Sequence, residues 1–281
     1  MKNVHFTTFT TKITDAVLTV TFDHGPVNIQ GIAMLDDLSK LADELEQDKM
    51  IKVVVFQSAH PDIFVAHADT GFLKDMSTQA VSRDEVQLLY LQTVLQRISE
   101  LPQATIAKVE GFARGGGHEF MLACDMRFAA RGKAKFMQME VGMGILPCGG
   151  GASRMARQVG LGRALEIILS ARDFDADEAE QYGTINKALN EDEIGPYVHT
   201  LAHRISQFPS ESITACKRAV YASIDLPIQE ALREEAYQLY QALSKTPAQV
   251  RFQYADDNAA QNDMDNQHNW EQLVMDIQSV G

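Results

Sequence analysis

The sequence predicts an α/β fold, with strands and helices interleaved up to about residue 190 and helices alone beyond it. Three observations carry that expectation. Short alternating or apolar runs recur at residues 16–23, 51–56 and 104–109. Amphipathic stretches of helical period separate them. A strand then enters the adjacent glycines Gly115–Gly117 just before another helical stretch, an arrangement typical of strand-to-helix junctions.

In chain order, residues 4–11 and 16–23 read as strands around a Thr-Asp turn, with Val17 to Phe22 alternating apolar residues and threonine. Residues 32–46 set Leu35, Leu38, Leu41, Ala42 and Leu45 on one helical face, and Ile51 to Phe56 is a buried strand. The spacing of Val86, Leu89, Val94, Leu95 and Ile98 predicts a helix over 84–100, followed through Pro102 by a strand at 104–109. A helix over 116–123 and a strand over 125–129 come next. Past residue 190, helices are expected at 192–207, 210–223, 228–244 and 266–278, with a division of the chain near residue 200. The reading is therefore a core of residues 1–200 and a helical region of residues 201–281.

Composition narrows the function classes. The chain has 281 residues, 45% of them hydrophobic, enough for one large core or two smaller ones. No apolar run approaches the roughly 18 residues of a membrane span, and residues 1–11 do not resemble an export signal, so a soluble, cytoplasmic protein is expected. Cys124, Cys148 and Cys216 lack metal-ligand spacing and fit a reducing compartment, with Cys148, in a glycine-rich loop, the one to test for reactivity. A net charge of −13 argues against nucleic acid or an anionic membrane as partner. Of the histidines, only His199 and His203 have i,i+4 spacing, and no third ligand accompanies them, so no metal site is expected.

Three segments carry candidate chemistry. In IAKVEGFARGGGHEFMLACD, the glycines permit a tight turn and close packing; equally, Gly116 can bring its N–H to a ligand oxygen at a helix start. Glu119, three residues on, is either a helix-terminus charge or an acid/base group beside those donors. The loop is neither a Walker A nor a GxGxxG fingerprint. Glu140, in FMQMEVGMGILPCGGG, is a second carboxylate beside a glycine-rich loop. Two carboxylates sharing one water are the minimum equipment for adding water across an activated double bond. The third segment, PDIFVAHADTGFLKDM, has small residues Ala66 and Ala68 that allow backbone approach, or is a plain loop leading to a helix at Asp69.

In order and spacing these segments resemble the crotonase superfamily of enoyl-CoA hydratases and isomerases, over about residues 15–215. The likeness lies in its F-x-A-G-A-D loop, its G-x-A-x-G-G-G-x-E loop and its F-x-x-P-E-x-x-x-G-x-x-P-x-x-G-G loop. The resemblance implies a spiral of repeated strand-strand-helix units with a C-terminal helical region, assembled as a homotrimer or a dimer of trimers. It implies an acyl-CoA thioester as substrate and no separate cofactor. Ala68 and Gly116 would supply two oxyanion-hole N–H groups, Ala66 would meet the adenine through its carbonyl, and Glu119 and Glu140 would be the catalytic acids. The candidate substrate-binding set is Ala66, His67, Asp69, Gly115 and Lys74.

The sequence also departs from the pattern. His67 replaces the usual glycine between the two alanines, Met139 the usual proline before the second acid, and Cys148 the usual glycine after Pro147. Each is expected to narrow or stiffen the site. Residues 252–281 contain no Lys or Arg for CoA phosphates, leaving Lys74 and Arg114 as the nearest candidates. Hydration of a 2-enoyl-CoA is the leading expectation. Double-bond isomerisation, another crotonase-type reaction, or an idle relative with weak CoA binding stand beside it.

Overall fold

The computed structural model of the chain describes residues 4–74, 78–257 and 264–277. Asp75 and Met76 of the PDIFVAHADTGFLKDM segment, and the final residue of the expected 266–278 helix, lie outside that range. The fold begins with a hairpin, β1 (Phe9–Thr14) and β2 (Val17–Phe22), followed by α1 (Ile32–Gln47) and β3 (Val53–Ser58). Next come β4 (Ile63–Val65), α2 (Thr70–Lys74), α3 (Tyr90–Glu100), β5 (Ala104–Val109), β6 (Phe112–Arg114), α4 (Gly116–Ala123), β7 (Met126–Ala130) and β8 (Lys135–Met137). A 3-10 turn spans Glu140–Met143 and leads to α5 (Gly151–Val159), α6 (Leu161–Ser170), β9 (Phe174–Asp175), α7 (Ala176–Tyr182) and β10 (Lys187–Leu189). Helices complete the chain: α8 (Glu191–Ser206), α9 (Ser210–Asp225), α10 (Ile228–Leu243), α11 (Thr246–Asp257), α12 (Met264–His268) and α13 (Trp270–Asp276).

The strands form two sheets, ordered β1-β2-β3-β5-β7-β10 and β4-β6-β8-β9. Pairing is antiparallel in the β1–β2 hairpin and between β8 and β9, and parallel elsewhere. Because side chains alternate along a strand, the continuous run of β3 serves both faces of its sheet. Val54 and Phe56 join the larger core with Leu18, Phe22 and the apolar face of α1. Val53 and Val55 face a second core with Ile106, Phe128 and the α8 residues Ile194, Val198 and Ala202. The division expected near residue 200 thus falls inside α8, a helix that covers this sheet.

Two boundaries differ from expectation. The first strand begins at Phe9, because Thr7 and Thr8 are held by the buried Asp37 carboxylate, which accepts their N–H groups at 2.6 and 3.0 Å. The third helix begins at Tyr90, since Val86 and Leu89 have extended backbone and Val86 and Leu88 are exposed. The last expected helix is interrupted at Asn269, between α12 and α13. No helix among the described residues is long and apolar enough to cross a membrane.

Strands β4 and β6 bring the chemical segments together. The two pair in parallel, so the loop after β4 and the glycines after β6 emerge side by side. Asn28 locks this junction from a left-handed backbone position (φ 52°). Its side chain accepts from His24 N–H at 2.8 Å and donates to Ser58 Oγ at 2.9 Å and the Phe64 carbonyl at 3.0 Å. On the core side, the Phe120 ring, next to Glu119, packs edge-on against Phe22 and Phe56 at 5.3 and 5.1 Å between centroids.

Candidate active site

The loop after β4 makes one parallel bridge, Gln30 to Ala68. That bridge is closed by the residues on either side of Ala68: Gln30 N–H donates to the His67 carbonyl at 3.0 Å, and Asp69 N–H donates to the Gln30 carbonyl at 2.9 Å. The Ala68 N–H is thereby left on the opposite edge. Gly116 opens α4, and first-turn N–H groups have no acceptor within their own helix. A Cβ at Gly116 would stand 2.9 Å from Ala68 N and 2.4 Å from Gln30 Oε1, so only glycine lets the two loops approach this closely. Gly115, at φ +45° and ψ −120°, holds a conformation open to glycine alone. Its own N–H is engaged with the Met137 carbonyl at 2.8 Å.

Glu119 and Glu140 line one cavity of about 290 Å³ together with His67, Ala68, Gly115 and Gly116. The rest of its wall is mainly apolar: Leu91, Met139, Met143, Ile145, Leu146 and Cys148, with Thr70. Glu119 is 2% exposed, and its Oε1 accepts N–H groups from Gly149 at 2.6 Å and Gly151 at 2.9 Å. Burial outweighs those donors, and with the nearby Glu140 charge it pushes the Glu119 carboxyl up to about 7. Burial also raises Glu140, less strongly. Two carboxyl groups that oppose each other's ionisation titrate as a pair, and this one can hold a single proton near neutrality.

The loop that serves Glu119 is clamped from behind by the Arg154 guanidinium, which donates to the Gly149 carbonyl at 3.1 Å and to Gln96 Oε1 at 2.8 Å. The Cys148 thiol is pushed up by burial and by both glutamates, which disfavours the reactive thiolate. Burial likewise pushes the Cys124 thiol, up to about 12. No cluster of metal-ligating residues occurs among the described residues.

The remaining sequence candidates separate. His67 is half-buried in the cavity wall, where its Nδ1–H donates to the Ala68 carbonyl at 2.8 Å; its backbone is not left-handed, so replacing glycine there costs no strain. Ala66, Asp69 and Lys74 lie outside the cavity wall. The Ala66 carbonyl already accepts Arg114 N–H at 3.2 Å. Asp69 Oδ1 accepts Gly71 N–H at 2.7 Å in the first turn of α2, as a helix cap does, and Lys74 is exposed at the end of the same helix. Arg114, expected as a phosphate contact, is instead committed to Asp173 through two bonds of 2.7 and 2.6 Å and lies over the Phe112 ring. Sequence reasoning missed Asn28, Gln138, Gly149, Gly151 and Arg154. Of these, Gln138 and the two glycines stood in a segment that was already under suspicion.

A parallel β spiral that delivers two loop backbones and two carboxyl groups to one apolar cavity defines the crotonase type of α/β protein. The chain belongs to the enoyl-CoA hydratase/isomerase family, whose profile matches residues 12–257. Members of this family are enzymes. It is 33% identical over 202 residues to a short-chain-enoyl-CoA hydratase of Clostridium acetobutylicum, covering 72% of this chain and 76% of that one. It is 34% identical over 210 residues to the mitochondrial methylglutaconyl-CoA hydratase of Mus musculus, covering 73% and 66%. Its fold matches the crystal structure of an enoyl-CoA hydratase from Bacillus anthracis with a TM-score of 0.81, covering 90% and 97% at 24% identity.

Proposed function

We propose that this protein reversibly hydrates a 2-enoyl-CoA thioester with an uncharged acyl group, through an enolate held by the N–H groups of Ala68 and Gly116. The observation that carries the reading is that Glu119 and Glu140 face one cavity beside those two residues. One carboxylate takes a proton from water while the other carboxylic acid gives a proton to the α-carbon. Each oxyanion donor is worth about 3 kcal/mol of transition-state stabilisation. Among the described residues that line the cavity there is no Lys or Arg, which favours an apolar acyl group over one ending in a carboxylate such as methylglutaconyl. CoA serves as part of the substrate, and no separate cofactor takes part.

Glu119→Gln and Glu140→Gln should each slow hydration of a short 2-enoyl-CoA by about 100-fold or more while leaving the fold intact. Assaying both variants with a 3-enoyl thioester separates hydration from isomerisation. A wild-type enzyme that shifts the double bond without adding water, and needs only Glu140 to do so, would replace the hydratase reading with an isomerase. The same reading expects the protein in the cytoplasm, where its free cysteines stay reduced, and in a homotrimer or a dimer of trimers. Exposed Leu232, Leu239 and Tyr240 on α10 support assembly, and light scattering after size-exclusion chromatography tests it.

A further inference from the structure

Glu140 sits at the start of a single 3-10 turn, and its nearest side-chain donor is Gln138. Gln138 is fully buried, between Glu140 on one side and His118 on the other. An amide can stand either way round. With its oxygen toward His118 Nδ1 at 3.1 Å, its nitrogen donates to Glu140 Oε2 at 2.9 Å and lies 3.3 Å from Oε1. The reverse orientation would set an amide oxygen against a carboxylate at the same distance, which is repulsive. What decides the orientation is therefore whether His118 offers a proton from Nδ1.

The surroundings of His118 settle that. It is fully buried in the first turn of α4, with its ring 5.6 Å from both Phe136 and Phe174. Burial, reinforced by Arg127, drops its pKa to about 3, so the ring is neutral and carries one proton. Its Nε2 is buried without a hydrogen-bond partner. Leaving a lone pair unmatched there costs less than stranding an N–H, so the proton belongs on Nδ1.

We infer that His118 is a positioning residue, which locks the Gln138 amide so that its N–H always faces Glu140 and fixes that carboxylate in the cavity. The inference rests on the reading of Glu140 as an acid/base group. The lock is needed because, apart from its own peptide N–H, Glu140 has among the described residues no counterpart to the two backbone donors of Glu119. The titratable groups that line the cavity with Glu140 are Glu119 from α4, Cys148 from the loop before α5 and His67 from the loop after β4, and no Lys or Arg is among the described lining residues.

Two substitutions at one position test the lock. Asparagine can set an amide nitrogen near the place of His Nδ1, whereas leucine fills similar space with no donor. His118→Leu should lower kcat by about 10-fold or more with KM little changed, through misplacement of the acid. It should also move the Glu140 limb of the pH profile upward, because a carboxylate that loses a donor is easier to protonate. His118→Asn should restore both. Gln138→Met should reproduce the leucine effect, and adding His118→Leu to it should change nothing more. If His118→Leu does not fold, Gln138→Met and the ring measurement carry the test.

Nitrogen NMR of the wild-type ring should show a protonated Nδ1 and a bare Nε2. A proton on Nε2, or a folded His118→Leu enzyme with unchanged kcat and pH profile, overturns the lock. The ring proton is read without substrate, and so is the Glu140 titration when it is followed by carbon NMR of the carboxyl group rather than by rate. If they come out as expected and no enoyl-CoA is hydrated, the proposed reaction falls and the lock stands.

Discussion

Glu119 rises from a helix whose next residue is sunk among core phenylalanines, and it is gripped by two peptide N–H groups of a loop that Arg154 clamps. Glu140 stands in a 3-10 turn whose following residues, 141–146, are all exposed. Its side-chain donor among the described residues is an amide that must itself be oriented. The contrast shows two ways of holding a carboxyl group beside one substrate. Backbone donors fix a group through the shape of the chain, so side-chain substitutions nearby cannot delete them. A side-chain donor can be lost at a single position.

The sharpest way to break this contrast is to add one methyl group on each side. A Cβ at Gly149 would lie 2.6 Å from Glu119 Oε2 and 3.0 Å from Leu91, so Gly149→Ala must displace the acid. Loss of kcat approaching 100-fold is expected. A Cβ at Gly142, in the turn that carries Glu140, meets nothing within 4 Å, and Gly142→Ala should stay within a factor of about two of the wild-type rate. Equal losses in steady-state kinetics would end the distinction.

The pH profile sharpens it next. In the proposed reaction the pair works with one proton, so kcat/KM should fall on the alkaline side as that proton leaves with an apparent pKa of about 7. On the acid side it should fall again as the second carboxylate is protonated. Glu119→Gln should abolish the alkaline limb in whatever activity remains. A wild-type profile flat through neutrality would contradict the burial argument.

Smaller effects are expected away from the cavity. Asp37→Ala strands the N–H groups of Thr7 and Thr8 and should cost about 2 kcal/mol in a denaturant titration, without touching kcat. Its hydrogen bonds hold the Asp37 carboxyl below the usual 3.8 against the burial that opposes them. Its contribution is therefore complete above that value and lost as pH falls through the lower folded one. Arg114→Gln removes a half-exposed ion pair worth no more than about 1 kcal/mol. Because that guanidinium is engaged with Asp173, KM for an acyl-CoA should move by less than about twofold. A tenfold rise would return Arg114 to the phosphate site.

Much of this was readable from residue patterns, and the failures have physical causes. β2 and β3 were legible because alternation and a continuous apolar run mark half-buried and fully buried strands. The first strand was misplaced because β1 is a hairpin edge with only Phe9 buried, so no burial period marks its register. The sheet of β4, β6, β8 and β9 consists of strands of two or three residues, too short to show any period. Glu119 and Glu140 were legible through the glycines beside them. Gln138 and Asn28 were not, since an amide's importance here lies in what its two ends touch after folding. Arg114 misled because its charge was visible in the sequence and Asp173, 59 positions away, was not an obvious partner.

The exposed stretch that walls the cavity with Met143, Ile145 and Leu146 has a consequence for descent rather than for catalysis. Exposed residues that shape this wall of the cavity make few demands on the interior, so they can be exchanged at small cost in stability. Residues that hold Glu119 are bound into the core and resist exchange. On the proposed reading, a lineage built this way can change what it accepts by rewriting a few surface positions, while the pair of carboxyl groups is inherited intact.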